Sequence, residues 1–342
     1  MTYKLHMLNE QGIPSLINGV DSPKDWLKKR SDIFKRWQDM IGKLPERVPL
    51  DFTIHAEIKE DGFIRQHVTY NTADADTVTA YLLIPKGAEG KELPALLALH
   101  GTDEMGKDSI STNNAKHFKN YATELVKRGY VVLAPDALTA GERIKTGEKP
   151  FHNAYFYRDF PQYSSITAKN LTDHRHGIDL LESHRFVDRN RIGAIGHSFG
   201  GYNAYYLAGI DARVKAVVTS CGFSMFTGDY RPQRWADRDW YTHFPKLTPM
   251  IAEGDIPFEF HEILALVAPK PMFNWSGQSD PIFPHWKSIA SGLHNVYQLY
   301  EKLGYHDRFT SLLGAEGHDF PPHIRESAYQ FLDKWLDHNV NF

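Results

Sequence analysis

Apolar positions along this chain change rhythm at about residue 93. Before it they fall in one amphipathic stripe and then in short alternating runs. After it they come as continuous apolar runs separated by amphipathic stretches. The first stripe, Trp26, Leu27, Ile33, Phe34, Trp37 and Ile41, predicts a helix that packs one face on the rest of the protein. Ser22-Pro23 caps its start, and Gly42 with Pro45 ends it. Runs at 53–58, 63–70 and 77–84, split by acidic, Gly- and Asn-containing turns, predict an antiparallel meander. From 94 to 99 the chain is apolar throughout, as a strand covered on both faces must be. Helical text at 115–128, 167–184, 201–209, 286–303 and 324–338 then alternates with strand-like runs at 130–134, 191–195, 214–219, 271–275 and 309–313. That alternation predicts an α/β fold with a mostly parallel central sheet flanked by helices. The expected division is a helical extension, 1–50, packed on a main domain, 51–342.

One segment breaks the rhythm. Residues 222–261 lie between two core strands and hold Phe223, Phe226, Tyr230, Trp235, Trp240, Tyr241, Phe244, Phe258 and Phe260. So long a connection in a compact domain is usually functional. It reads as a partial lid; the competing reading is an aromatic subdomain packed for its own stability. Trp240, Tyr241, Trp275 and His100 are the expected pocket residues.

Composition narrows the classes. The 342 residues are 24% charged with a formal net charge of -3, and the basic residues do not cluster, so there is no electrostatic footprint for nucleic acid or an anionic membrane. No apolar stretch is long enough to span a bilayer. The single cysteine, Cys221, excludes an internal disulfide and fits a reducing compartment. With no basic n-region leading into an apolar run at 1–11, a cytoplasmic location is expected. No zinc-spaced Cys/His cluster, P-loop or dinucleotide fingerprint is present, so neither metal nor cofactor is expected. His174-Arg175-His176 is spaced i,i+2, which places the two imidazoles on different sides of a helix. The sequence selects no oligomeric state.

The chemistry concentrates at Gly196-His197-Ser198-Phe199-Gly200. A strand-like run precedes this G-x-S-x-G and a helix start follows it, which is the context of a nucleophile elbow. β-Carbons at either glycine would crowd the tight turn. A serine hydroxyl needs a base to take its proton, and the base needs a carboxylate to hold its tautomer. In elbow-bearing folds the chain order is Ser, then Asp or Glu, then His. Asp280, in the turn-rich 276–281 loop after a strand, fills the second place; its competing reading is an Asx-turn before Pro281. Among 18 histidines, His318 stands out because it follows the last strand and precedes the last helix. The oxyanion that forms on attack needs two backbone donors. Phe199 N–H, next to the nucleophile, is one, and Thr102 N–H, in the loop after the 95–99 run, is the other, with Gly101 or Asp103 as alternatives. His197 reads as structural.

His100-Gly101, the elbow, Gly277-Gln278-Ser279-Asp280 and Gly317-His318-Asp319 together resemble the α/β-hydrolase superfamily, from about Tyr81 to the C-terminus. Within it the chain is most similar to the dienelactone hydrolase-like and acetyl xylan esterase-like serine esterases. Asp136 with Gly141-Glu142-Arg143 and the extension with Trp26, Arg30, Ile33 and Trp37 resemble the same group. The resemblance implies an α/β-hydrolase fold and a serine carboxylesterase acting on a small-molecule ester of short acyl chain, such as an acetylated carbohydrate or natural product. Two departures narrow it. Dienelactone hydrolases proper use cysteine where this chain has Ser198, and glucuronoyl esterases carry arginine where it has Phe199. A peptidase or amidase, a C–C bond hydrolase and a non-catalytic binding module are the rival readings.

Overall fold

The computed structural model describes residues 2–112, 119–152, 156–237 and 241–338. Its strands, in chain order, are β1 (Tyr3–Lys4), β2 (Phe52–Glu60), β3 (Phe63–Asn71), β4 (Thr77–Pro85), β5 (Leu93–Leu99), β6 (Val131–Pro135), β7 (Val187–His197), β8 (Val214–Ser220), β9 (Asp255–Ile256), β10 (Met272–Gly277) and β11 (Phe309–Gly314). The chain divides into two compact units. One, here the elbow unit, holds Pro45–Phe151, Asn170–Gly222 and Phe320–Phe342. The other, the aromatic unit, holds Met1–Leu44, His152–Lys169 and Phe223–Asp319. This division differs from the expected boundary at residue 50, because the N-terminal extension groups with the 222–261 insertion. Among the described residues no helix is long and apolar enough to cross a membrane.

In the elbow unit the strand order is β8-β7-β5-β6-β4-β3-β2. From β8 to β6 every pairing is parallel. From β6 through β4 and β3 to β2 every pairing is antiparallel. These are three parallel and three antiparallel pairings; with β10 and β11, which also pair in parallel, parallel pairings predominate, and the mostly parallel α/β architecture expected from the alternating text is observed. Leu96, Leu97, Ile192, Ile195, Val217 and Val218 are fully buried at its centre. Each such side chain contributes about 1.5–3 kcal/mol of transfer free energy. Helices Phe199–Ile210 and Pro322–Trp335 pack on these strands. β2, by contrast, is exposed along nearly its whole length. Its alternating text reflects pairing with β3 and not a face pressed into a core.

In the aromatic unit the helix Pro23–Ile41 has the predicted ends. Ser22 in extended backbone accepts from Asp25 N–H, and Gly42 closes it at φ +94°. Trp26, Ile33, Trp37 and Ile41 are buried, while Leu27 is 64% exposed and stands off the stripe. The helix packs against the helix Phe260–Ala265 and its flank. Arg30 donates to Leu266 O at 2.9 Å, and Arg36 pairs with Glu262 at 2.7 Å. Apart from the exposed Tyr230, the described rings of the insertion, expected to shape a lid, are buried: Phe226 stacks on Phe260 at 4.6 Å, and Trp235 meets Phe260 at 4.5 Å. Phe223, Tyr241, Phe244 and Phe258 are equally buried, so these side chains form a core of their own.

Glu259 holds that core's polar centre. It caps the helix Phe260–Ala265 in a capping box with Glu262. Its buried carboxylate accepts from Phe226 N–H, Thr227 N–H and Phe260 N–H, each at 2.8 Å, and from the Thr227 hydroxyl at 2.6 Å. Burial pushes the carboxyl up by more than these donors pull it down. Nothing in the local sequence marks this residue, because three of its donors come from residues more than thirty positions away.

Candidate active site

Ser198 sits where β7 turns into the helix Phe199–Ile210, at φ +55°, ψ -117°. That is strained backbone for a residue with a β-carbon. The flanking glycines are sterically required. A β-carbon on Gly196 would lie 2.2 Å from Gly200 O, and one on Gly200 would lie 1.9 Å from Leu99 O. Ser198 N–H donates to Ser220 O at 2.7 Å, which ties the turn to β8. The side chain stands half-buried at the start of the helix. First-turn N–H groups have no acceptor within their own helix, and the dipole adds partial positive charge there.

β5 delivers His100-Gly101-Thr102 to the same place. A β-carbon on Gly101 would sit 3.7 Å from Ser198 Cβ, so this loop runs beside the nucleophile candidate. His100 is buried. Its Nε2 receives Ala137 N–H at 3.0 Å and must therefore be the unprotonated nitrogen. Nδ1 then carries the proton and donates to Gly101 O at 2.7 Å. Burial lowers the imidazole's pKa and keeps it neutral. In a trans peptide the carbonyl and the following N–H point opposite ways. By holding Gly101 O, His100 thus fixes the direction of Thr102 N–H. Both ring nitrogens of His100, an expected pocket residue, are thus engaged, Nδ1 by this loop and Nε2 by Ala137. Its ring stacks on Phe199 at 6.4 Å, and Phe151 and Tyr202 approach Phe199 at 5.5 and 5.3 Å. His197 is held by Ser220 Oγ at 2.9 Å and Lys119 Nζ at 3.0 Å, a structural arrangement.

In the aromatic unit, β10 and β11 pair in parallel with Gly277 opposite Gly314. The loops that follow them therefore leave side by side. They are stitched by Gln278 N–H to Gly314 O at 2.7 Å and Ser279 N–H to Glu316 O at 3.1 Å. This brings Asp280 and His318 together, with Nδ1 at 2.6 Å from Asp280 Oδ2. The other oxygen, Oδ1, accepts Ile282 N–H at 2.7 Å and Phe283 N–H at 3.1 Å. The Asx-turn and the histidine partner, weighed as alternatives, coexist on the two oxygens of one carboxylate. Burial raises the Asp280 pKa, but the bond and charge of His318 and the two backbone donors outweigh it, and the net shift is downward. The carboxylate is buried while the His318 side chain remains 18% exposed.

The remaining expected pocket residues have other places. Trp275 is buried, and its indole N–H donates to Asp319 O at 2.8 Å, which anchors the His318 loop. Tyr241 is buried with its ring 4.7 Å from that of His243. Both side chains are held in packing contacts. Trp240 lies outside the described residues.

The Dienelactone hydrolase family model matches residues 78–242, a span that includes the elbow. The sheet and its flanking helices have the α/β-hydrolase fold. The chain is similar to the hydrolase YtaP of Bacillus subtilis (strain 168), 27% identical over 319 residues that cover 90% of this chain and 99% of that protein. A shorter stretch is 26% identical over 156 residues to dipeptidyl-peptidase 5 of Porphyromonas gingivalis (strain ATCC 33277), covering 44% of this chain and 20% of that one. Among solved structures, a glucuronoyl esterase from Solibacter usitatus superposes with a TM-score of 0.68 at 19% identity, covering 94% of this chain and 97% of that chain. At that identity the likeness speaks for the fold alone.

Proposed function

We propose that this hydrolase is a serine carboxylesterase that works through an acyl-enzyme. Ser198 Oγ attacks the ester carbonyl as its proton passes to His318 Nε2, the nitrogen left over once Asp280 holds Nδ1. The protonated His318 then gives that proton to the departing alcohol. Water, deprotonated in turn by His318, releases the acid and restores Ser198. Phe199 and Thr102 N–H are the proposed oxyanion donors. The observation that carries the reading is the 2.6 Å bond from His318 to a buried, ionised Asp280, an arrangement suited to a base stabilised on protonation.

Short acyl groups are the proposed substrates, such as acetyl esters of carbohydrates or small natural products. The support is the crowding of Phe199, next to the nucleophile, by His100, Phe151 and Tyr202. Phe199 also brings no charge to the site, which points away from uronate esters. Hydrolysis of p-nitrophenyl acetate, butyrate and octanoate tests this, with acetate expected to have the highest kcat/KM. Equal rates across the three would overturn the short-acyl assignment. The dipeptidyl-peptidase match favours amide hydrolysis as a second reading; turnover of an acyl p-nitroanilide as fast as of the ester would establish it.

His100→Phe keeps ring volume against Phe151 and Phe199 but removes the hydrogen bonds to Gly101 O of the oxyanion loop and from Ala137 N–H. It is expected to lower kcat by about 10- to 100-fold with little change in KM. Steady-state kinetics on a variant of unchanged melting temperature checks it, and an unchanged kcat would separate His100 from the loop's catalytic placement.

A further inference from the structure

One cation in the insertion reaches the loop that carries the acid. Arg234 donates through Nη1 to Ile282 O, a contact across 48 positions of sequence. Its Nη2 donates to Asp229 Oδ1 at 3.0 Å, and its Nε lies 2.8 Å from Asp229 Oδ2. The Asp229 side chain is fully buried, so the guanidinium has a fixed counter-ion behind it. With 12% of its side chain exposed and its donors directed at Ile282 and Asp229, Arg234 is built into the protein.

The geometry of one peptide group gives this contact its meaning. Ile282 O and Phe283 N–H belong to the same amide plane. Its carbonyl accepts from Arg234, and its N–H donates to Asp280 Oδ1 at 3.1 Å. A cationic donor on the carbonyl polarises the amide and strengthens the N–H on its far side, because linked hydrogen bonds reinforce one another. Asp280 Oδ2 then holds His318. The polar chain runs guanidinium, peptide, carboxylate, imidazole. A second, apolar path follows it. Arg234 lies 5.4 Å over the Phe283 ring, Trp235 stacks on that ring within 4° of parallel, and Phe283 meets the His318 ring edge-on at 6.0 Å.

We propose that Arg234 is a positioning residue for the Asp280–His318 pair, and that the insertion serves as the scaffold of the acid–base machinery through Arg234 and Trp235. The inference rests on the esterase reading for its kinetic arm only. Asp229 and His285, whose Nδ1 is 4.0 Å from Asp229 Oδ1, are the other ionisable groups behind the same loop.

The test uses the full chain with Arg234→Met and Arg234→Lys. Two readouts are taken: steady-state kinetics on p-nitrophenyl acetate, and the far-downfield proton resonance of the His318 Nδ1–H bonded to Asp280. Methionine keeps the stem over Phe283 and removes the donors. It is expected to lower kcat by about 10- to 100-fold, the range for a misplaced catalytic group. KM should stay within about twofold, because the group acts on the chemistry and not on substrate binding. The downfield resonance should broaden or vanish. Lysine offers a single ammonium that can serve Ile282 O or Asp229 but not both planes of the fork, so it should fall between. If Arg234→Met fails to fold, Arg234→Lys carries the test. Folded variants with wild-type kcat and an intact resonance would overturn the proposal. So would a rise in KM at constant kcat with the resonance unchanged, which would place Arg234 in substrate binding. An inactive wild-type protein would refute the esterase reading while leaving the resonance to judge the clamp.

Discussion

Ser198→Ala is expected to reduce kcat on p-nitrophenyl acetate by about 10⁶-fold, the scale on which loss of the nucleophile in a triad acts. Two features make the result interpretable. Alanine keeps the β-carbon, so the strain at φ +55° is unchanged and the elbow keeps its shape. Ser198 is also tied to the fold by its backbone, through N–H to Ser220 O and through its own carbonyl to Tyr202 N–H, and neither bond is touched. The melting temperature should therefore match the wild type. A fluorophosphonate probe should label the wild type with one equivalent and leave the variant unlabelled. Residual turnover near that of the wild type, with normal folding, would move the chemistry to another nucleophile or to a water-activating mechanism.

The parts of this site that are legible in sequence are those where sterics or local chain order act alone. Gly196 and Gly200 can be nothing larger, given contacts of 2.2 and 1.9 Å for an added β-carbon, so the elbow announces itself within five residues. The helix Pro23–Ile41 has ends written in Ser22-Pro23 and Gly42, which act within one turn. Asp280 and His318 are legible as loop residues after strands, and parallel pairing of β10 with β11 is what brings them together. Long-range polar contacts leave no local trace. Arg234 looks like one more surface arginine until Ile282 O is beside it. Glu259 looks like a solvated glutamate until Phe226 and Thr227 close over it. Aromatic richness was legible, but not its use: Trp235, Phe226 and Phe260 pack on one another, and periodicity does not distinguish a ring facing a pocket from one facing another ring. His100 shows the same limit, since only the Ala137 contact assigns its tautomer and hence its work on the loop.

Asp280→Asn should lower kcat by about 10⁴-fold, and the reason lies in how the two carboxylate oxygens are used. Oδ1 faces two donors, Ile282 N–H and Phe283 N–H, and Oδ2 faces a third, His318 Nδ1–H. Asparagine supplies one oxygen and one NH₂ group. Its oxygen must stay with the two backbone donors, since NH₂ there would oppose them. The NH₂ then points at Nδ1, which can accept it only by giving up its proton. The proton moves to Nε2, the position that has to be empty for the ring to take a proton from Ser198. Stability carries a separate signature. The Asp280 pKa is depressed in the folded protein, so its contribution is complete above the ordinary carboxylate range and is lost only as pH falls through the lower, folded value. Denaturant titration should find Asp280→Asn less stable than the wild type by about 1–3 kcal/mol at neutral pH, the range for hydrogen bonds to a charged group. That gap should persist into mildly acidic solution and close only in strong acid. A gap independent of pH would mean that the ionised carboxylate is not what the folded loop selects, and that the alignment of His318 is set by its contact with Phe283 and by the Trp275 bond to Asp319 O.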